Sequence, residues 1–124
     1  MIVAGFGCRA AASPAALRAA LAAALSALPD VAAPDALAAP ADRHPQLAPL
    51  AAELGLPVRL VAAADLRGQD TFTQSPVSVA ARGCGSVCEA AALAAAGPGA
   101  RLLATRRMAP DRTTACAIAQ GDSR

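Results

Sequence analysis

The stretch Ile2-Val3-Ala4-Gly5-Phe6-Gly7-Cys8-Arg9, followed four residues later by Ser13-Pro14, decides the fold class. Ile2 to Ala4 is a short apolar run that reads as a buried strand, with Gly5 and Gly7 stopping it. Ser13 reads as a helix N-cap, and Pro14 fills the first helical position, where its missing N–H leaves no bond unmade. Leu17, Leu21, Leu25 and Leu28 then recur at four, four and three residues, one apolar stripe on a helix that ends before Pro29. A strand, a glycine-rich turn and an amphipathic helix open an α/β unit.

Outward from this unit the alternation continues. Ala36 to Ala39, between Pro34 and Pro40, reads as a short strand, and Gln46 to Leu54 as a helix stopped by Gly55. Pro57 to Val61 reads as a strand, Ala63 to Leu66 as one helical turn and Arg67 to Asp70 as a loop. Ser75-Pro76 repeats the cap-and-proline signal and opens a short helix, Pro76 to Arg82, stopped by Gly83. Ser86-Val87-Cys88-Glu89 has the form of a capping box, in which hydroxyl and carboxylate satisfy backbone N–H groups reciprocally. That helix runs to Ala96 and ends at Gly97-Pro98. Arg101 to Ala104 reads as a strand, Arg106 to Arg112 as a hairpin-like loop and Thr113 to Ala119 as the last strand. The pattern predicts an α/β fold: a three-layer α/β/α sandwich around a mostly parallel sheet, with an antiparallel pair at its end. Residues 1–120 are expected to form one domain and 121–124 a frayed tail.

Composition excludes several classes. The chain is 56% apolar and Ala-rich, with Phe6 and Phe72 its only aromatic residues, so helices must pack closely on the sheet. High hydrophobicity argues against disorder. A net charge of +2, carried by eleven arginines scattered along a chain without lysine, gives no basic stripe for nucleic acid. The apolar stretch Ala19 to Ala27 falls far short of the roughly 18 residues of a membrane span. The N-terminus has no basic leader and enters a strand directly, which predicts a cytoplasmic protein without a signal peptide. In a reducing compartment Cys8, Cys84, Cys88 and Cys116 are expected to be small buried or half-buried thiols. Cys84 and Cys88 are separated by three residues rather than two, and His44 is the sole histidine, so no metal site is predicted. His44, between Arg43 and Pro45, reads as a surface loop residue.

Two places combine glycine with a following helix N-terminus, where unpaired N–H groups and the helix dipole attract anions. One is Gly5-x-Gly7-Cys8-Arg9; the other joins Thr71, Thr73 and Ser75 to Gly83-x-Gly85-Ser86. Neither completes G-x-G-x-x-G, and without lysine there is no P-loop, so a nucleotide or other cofactor is not expected. Carboxylates are the next candidate anions. Each residue also has a simpler reading: Gly5 and Gly7 as strand stops, Ser75 and Ser86 as caps, Glu89 as a capping partner. Cys8, at a strand end facing a helix N-terminus, is a candidate nucleophile with a lowered thiol pKa, and Glu89 a candidate acid or base.

Taken in order, these motifs resemble the CobE/CbiG C-terminal domain family of cobalamin biosynthesis. The resemblance is carried by Gly5-Phe6-Gly7-Cys8-Arg9, Ser75-Pro76-Val77, Gly83-Cys84-Gly85-Ser86-Val87-Cys88-Glu89-Ala90-Ala91-Ala92, Leu102-Leu103 and Thr113 to Ala119. It spans Ile2 to Ala119, and Gly-x-Gly-Ser-Val-x-Glu-Ala-Ala is its most specific segment. Where the family carries a Lys and a Glu after its second strand, this chain has Ala41-Asp42-Arg43-His44-Pro45-Gln46; a strand-end basic residue remains as Arg106-Arg107. CbiG-type proteins, which carry this domain after others, open the ring-A lactone of a cobalt-precorrin; a lone domain of this length resembles the stand-alone CobE form. The resemblance implies a factor that binds a precorrin-type tetrapyrrole, with Gly5, Gly7, Arg9, Ser75, Gly83, Gly85, Ser86, Thr113 and Thr114 lining the site. The alternatives are a hydrolase acting on a precorrin lactone or carbon–carbon bond through Glu89 or Cys8, and a ligand-free partner of a corrin-pathway enzyme. No nucleic-acid or membrane partner is expected, and the protein is expected to be a monomer or weak homodimer.

Overall fold

The structure, a computed structural model, describes residues 1–121. Strand β1 (Ile2–Cys8) leads through α1 (Pro14–Ser26) to β2 (Ala36–Pro40), and α2 (His44–Leu54) leads on to β3 (Val58–Val61). Both crossovers give parallel neighbours, with Val3 opposite Ala36 and Leu37 opposite Val58. The chain then forms α3 (Ala63–Arg67), α4 (Pro76–Arg82) and α5 (Val87–Ala96) before β4 (Arg101–Met108) and β5 (Thr114–Gln120). Strand β5 lies beside β1, so the sheet order is β3-β2-β1-β5-β4. Both pairings made by β5 are antiparallel.

The result is an α/β fold on one open, mixed sheet, which corrects the mostly parallel sheet expected from the alternation. The departure comes from β5, which sits between β1 and β4 and runs antiparallel to both; connection length accounts for the expected β4–β5 pair. A parallel return needs a crossover of about a dozen residues or more, whereas only residues 109–113 separate β4 from β5. Strand β4 also outruns its expected end at Ala104, because register shifts between Leu102 and Ala104 and between Ala104 and Arg107 let pairing resume as far as Met108. Gln120, one residue past the expected end of the last strand, pairs with Ile2, and the Gly121 N–H donates to the Met1 carbonyl. Residues 122–124 of that expected tail lie outside the described residues.

The cap readings hold at two helices and fail at a third. Ser13 Oγ accepts from the Ala16 N–H at 3.1 Å, and Ser75 Oγ from the Ser78 N–H at 3.4 Å. Helix α2 begins two residues before its expected start, since Pro45 is tolerated in a first turn. Ser86, in contrast, makes no capping bond; its buried Oγ lies 3.4 Å from Cys88 Sγ. Glu89 does not reach back to it either. Its fully buried carboxylate accepts from the Thr73 N–H at 2.8 Å and the Thr73 hydroxyl at 2.7 Å. A third bond comes from the Arg106 N–H at 2.9 Å, at the irregular part of β4. The predicted capping box is therefore a tertiary clasp between α5, the loop before α4, and β4.

The sheet divides its side chains by size. Phe6, Leu37, Cys116 and Ile118 pack with α1 and α2 on one side. On the other, Val3 and Ala38 pack with Ala90 and Ala91 of α5, while Ala115 and Ala117 meet Cys88, and Ala119 meets Ala92 and Leu93. Gly5 sits under the helix: a Cβ there would overlap the Cys88 carbonyl oxygen and the Ala92 nitrogen. Among the described residues no single helix is long and apolar enough to cross a membrane.

Two outcomes follow from this packing. Gly5→Ala should cost about 3 kcal/mol, since the added methyl meets helix backbone that has no rotamer to yield, and thermal unfolding should register a loss of roughly ten degrees. Glu89→Gln should cost at least about 2 kcal/mol in urea unfolding, because its amide nitrogen must face a buried N–H donor; an unchanged midpoint would refute the clasp.

Candidate functional site

The carboxyl ends of β1 and β2 are where open α/β sheets build binding crevices. Here the end of β1 supplies Gly7 and Cys8, with Arg9 immediately after it, and Pro40 and Arg43 follow from β2. Across from them stand Arg106 and Met108 of β4, Arg112 and Thr113 of the β4–β5 turn, and Thr114 and Ala115 of β5. Ser75, Val77, Ser78, Ala81 and Arg82 of the α4 segment form one wall, and Val87 and Cys88 of α5 the floor. The cavity is open to solvent and measures about 290 Å³. Gly7 matters to the floor, because a Cβ would press on the Val87 side chain at 3.1 Å and the Cys88 nitrogen at 3.4 Å.

Of the residues selected by sequence, Gly7, Cys8, Arg9, Ser75, Thr113 and Thr114 come together here. Gly5, Gly83, Gly85, Ser86 and Glu89 are not in the lining. Gly5 admits α5; Gly83, at φ +73°, ends α4 in the left-handed conformation. Gly85 leaves room for the Thr73 carbonyl and the Thr71 hydroxyl, and Ser86 is buried beside Cys88. His44 is the exposed first residue of α2 and takes no part in the lining.

Sequence reading missed the feature that dominates the cavity. Arg9, Arg43, Arg82, Arg106 and Arg112, five of the eleven arginines, line it, and none of its lining residues is acidic. Arg43 and Arg82 are held from behind. The Arg43 Nε donates to the Cys8 carbonyl at 2.8 Å, and Asp42 accepts from Arg82 at 3.0 Å with Arg43 3.7 Å away. That hydrogen bond to Arg82 holds the Asp42 carboxyl below its usual range. The guanidinium groups of Arg9, Arg106 and Arg112 make no hydrogen bond or ion pair among the described residues. The usable signal was position: Arg9 and Arg43 both follow carboxyl ends of parallel strands.

A second hollow of about 560 Å³ lies between residues 69–72 and β4, but there Arg101 is balanced by Asp70. It concentrates no single charge, so the smaller cavity is the chemically distinctive one.

The thiols behave differently from the expectation of an activated Cys8. All four cysteines are free. Burial pushes the Cys8 thiol above its ordinary value despite the opposing pull of Arg43 and Arg82, and burial pushes Cys88 up to about 12. A raised pKa leaves less thiolate at any given pH. Iodoacetamide should therefore place one adduct on the native protein, at Cys8, because Cys84, Cys88 and Cys116 are buried. At pH 8 it should react more slowly than a free thiol, with the rate still rising above 9.0. Fast labelling at pH 7 would contradict this, as read by intact mass against Cys8→Ala.

Comparison with known proteins agrees with this architecture. The family described as "Cobalamin synthesis G C-terminus" matches residues 2–119. No curated protein sequence matches at a significant level. Among solved structures, CobE, "a protein from the cobalamin (vitamin B12) biosynthetic pathway", superposes with a TM-score of 0.85 at 37% identity, over 96% of this chain and 89% of that one. The cobalamin biosynthesis protein chiG of Agrobacterium tumefaciens gives 0.75 at 35% identity, over 99% of this chain and 100% of that one. A cobalamin biosynthesis protein G homologue from Sulfolobus solfataricus shares the fold at 18% identity and a TM-score of 0.70, over 98% of this chain and 37% of the longer one. With the family match spanning nearly all of its length, this chain belongs to the CbiG C-terminal family of cobalamin biosynthesis.

Proposed function

We propose that the protein binds a precorrin-type tetrapyrrole by its peripheral carboxylates and holds it without chemical change. The observation that carries this reading is the convergence of five arginines on a cavity with no acidic lining residue. A precorrin bears acetate and propionate arms around its rim, and arginine pairs with carboxylates through two parallel N–H···O bonds. At about 290 Å³ the cavity is at the bottom of the usual range for small-molecule sites. It takes one edge of the macrocycle, with the ring lying outward over exposed Val77 of α4. The Ser75 hydroxyl, whose oxygen accepts the Ser78 N–H, supplies a neutral donor beside the guanidinium groups. The four free thiols favour the cytoplasm as its compartment.

A hydrolase reading draws less support. Glu89 lies outside the lining, and its carboxylate already accepts three hydrogen bonds. Cys8 has no imidazole beside it in the cavity, and burial favours its neutral thiol.

Titration of the purified protein with precorrin intermediates, followed by absorption and product mass, tests the proposal. Binding without a mass change is expected, weakening as salt rises from ~0.05 to ~0.5 M because exposed guanidinium–carboxylate pairs are screened. Arg106→Ala should weaken binding about ten-fold, the loss of one charge-assisted contact. The absence of a spectral response to every intermediate would overturn the proposal; turnover would replace binding with catalysis.

A further inference from the structure

Arg112 occupies a position that arginine fills badly. The β4–β5 turn runs Ala109-Pro110-Asp111-Arg112-Thr113. The Arg112 N–H donates to the Ala109 carbonyl at 2.9 Å, closing a turn in which Pro110 takes the position that proline favours. The Ala109 N–H then donates to the Thr114 carbonyl at 2.8 Å and starts the ladder. A hairpin of this kind places its next residue in the left-handed conformation, which glycine or asparagine adopts at little cost. Arg112 stands there at φ +62°, the single non-glycine residue with positive φ among those described.

Among the described residues nothing compensates for that choice. The Arg112 side chain is exposed, lines the arginine-rich cavity, and makes no hydrogen bond or ion pair among the described residues. The neighbouring Asp111 carboxylate is engaged instead by Thr113, whose N–H and hydroxyl donate to it at 3.0 and 2.8 Å. A glycine would serve the turn better and lose only the guanidinium group. Backbone strain retained beside a cavity is a mark of functional use.

We infer that Arg112 is a specificity-determining residue that grips a carboxylate of the bound ligand, sharing the cavity with Arg9 and Arg106, whose guanidinium groups are unengaged among the described residues. This rests on the carboxylate-binding reading above and adds to it: the turn gives up stability to present one particular cation. A bidentate guanidinium on this rigid hairpin selects ligands by where a carboxylate sits on the rim, not only by how many they carry.

The test sets stability against affinity, using Arg112→Gly and Arg112→Asn in the full-length chain. Both replacements suit the left-handed backbone, so both variants should unfold a few degrees higher than the parent. Uroporphyrin, a tetrapyrrole with acetate and propionate arms, serves as the probe in fluorescence titrations at low salt. The parent should bind it, and each variant should bind at least ten-fold more weakly with a shallower salt dependence. Affinity equal to the parent's in both variants would overturn the inference while leaving the broader reading intact. Loss of stability together with affinity would also overturn it, assigning Arg112 to the fold. Failure of the parent to bind uroporphyrin would overturn it too, and the precorrin titration decides the broader reading independently.

Discussion

The close approach of α5 to the sheet, across Gly5 and a floor of alanines, is the constraint on which the rest of this structure depends. Any side chain at Gly5 would enter the backbone of the helix, and Ala115, Ala117 and Ala119 of β5 continue the same low surface. Small residues on one face oblige the opposite face to supply bulk, and Phe6, Leu37 and Ile118 do so beneath α1 and α2. An interior nearly without aromatic residues reaches native density only if its layers come close, because small side chains leave voids at ordinary spacing.

That approach also organises the site. With α5 seated low, its first turn meets Gly7 and becomes the floor of the cavity. One residue further, Glu89 enters the interior and clasps Thr73 and the Arg106 N–H. A buried carboxylate is costly unless its lone pairs are occupied, and here three donors from two separate segments occupy them. The clasp fixes the irregular part of β4 from which Arg106 enters the cavity lining. Packing on the α5 face and cation placement at the cavity are thus coupled through one side chain.

The electrostatics rest on convergence rather than net charge. A formal +2 over the whole chain gives little long-range field, yet five guanidinium groups meet at one end of the sheet. Asp42, outside the lining, restrains Arg82 and stands near Arg43, while Arg9, Arg106 and Arg112 remain unengaged among the described residues. The cavity combines held and unengaged cations, a division suited to a ligand whose carboxylates are spread along a rim.

Local rules made much of this legible in the sequence. Serine and proline marked the starts of α1 and α4, Gly55 and Gly83 their neighbours' or own ends in the left-handed conformation, and apolar runs marked β2 and β3. Such signals act within one turn or one strand, where residue chemistry alone selects the backbone. Ser86 and Glu89 show where that reasoning stops: they have capping-box spacing, but Glu89 found stronger donors on segments sixteen and seventeen residues away. The antiparallel placement of β5 beside β1, the continuation of β4 past its bulge and the meeting of five dispersed arginines are likewise long-range outcomes. The sequence by itself determined the elements, their family and the glycines that permit close packing. Only the tertiary structure decided which charges share a cavity, because that depends on strand order and helix approach, neither of which is encoded within any single segment.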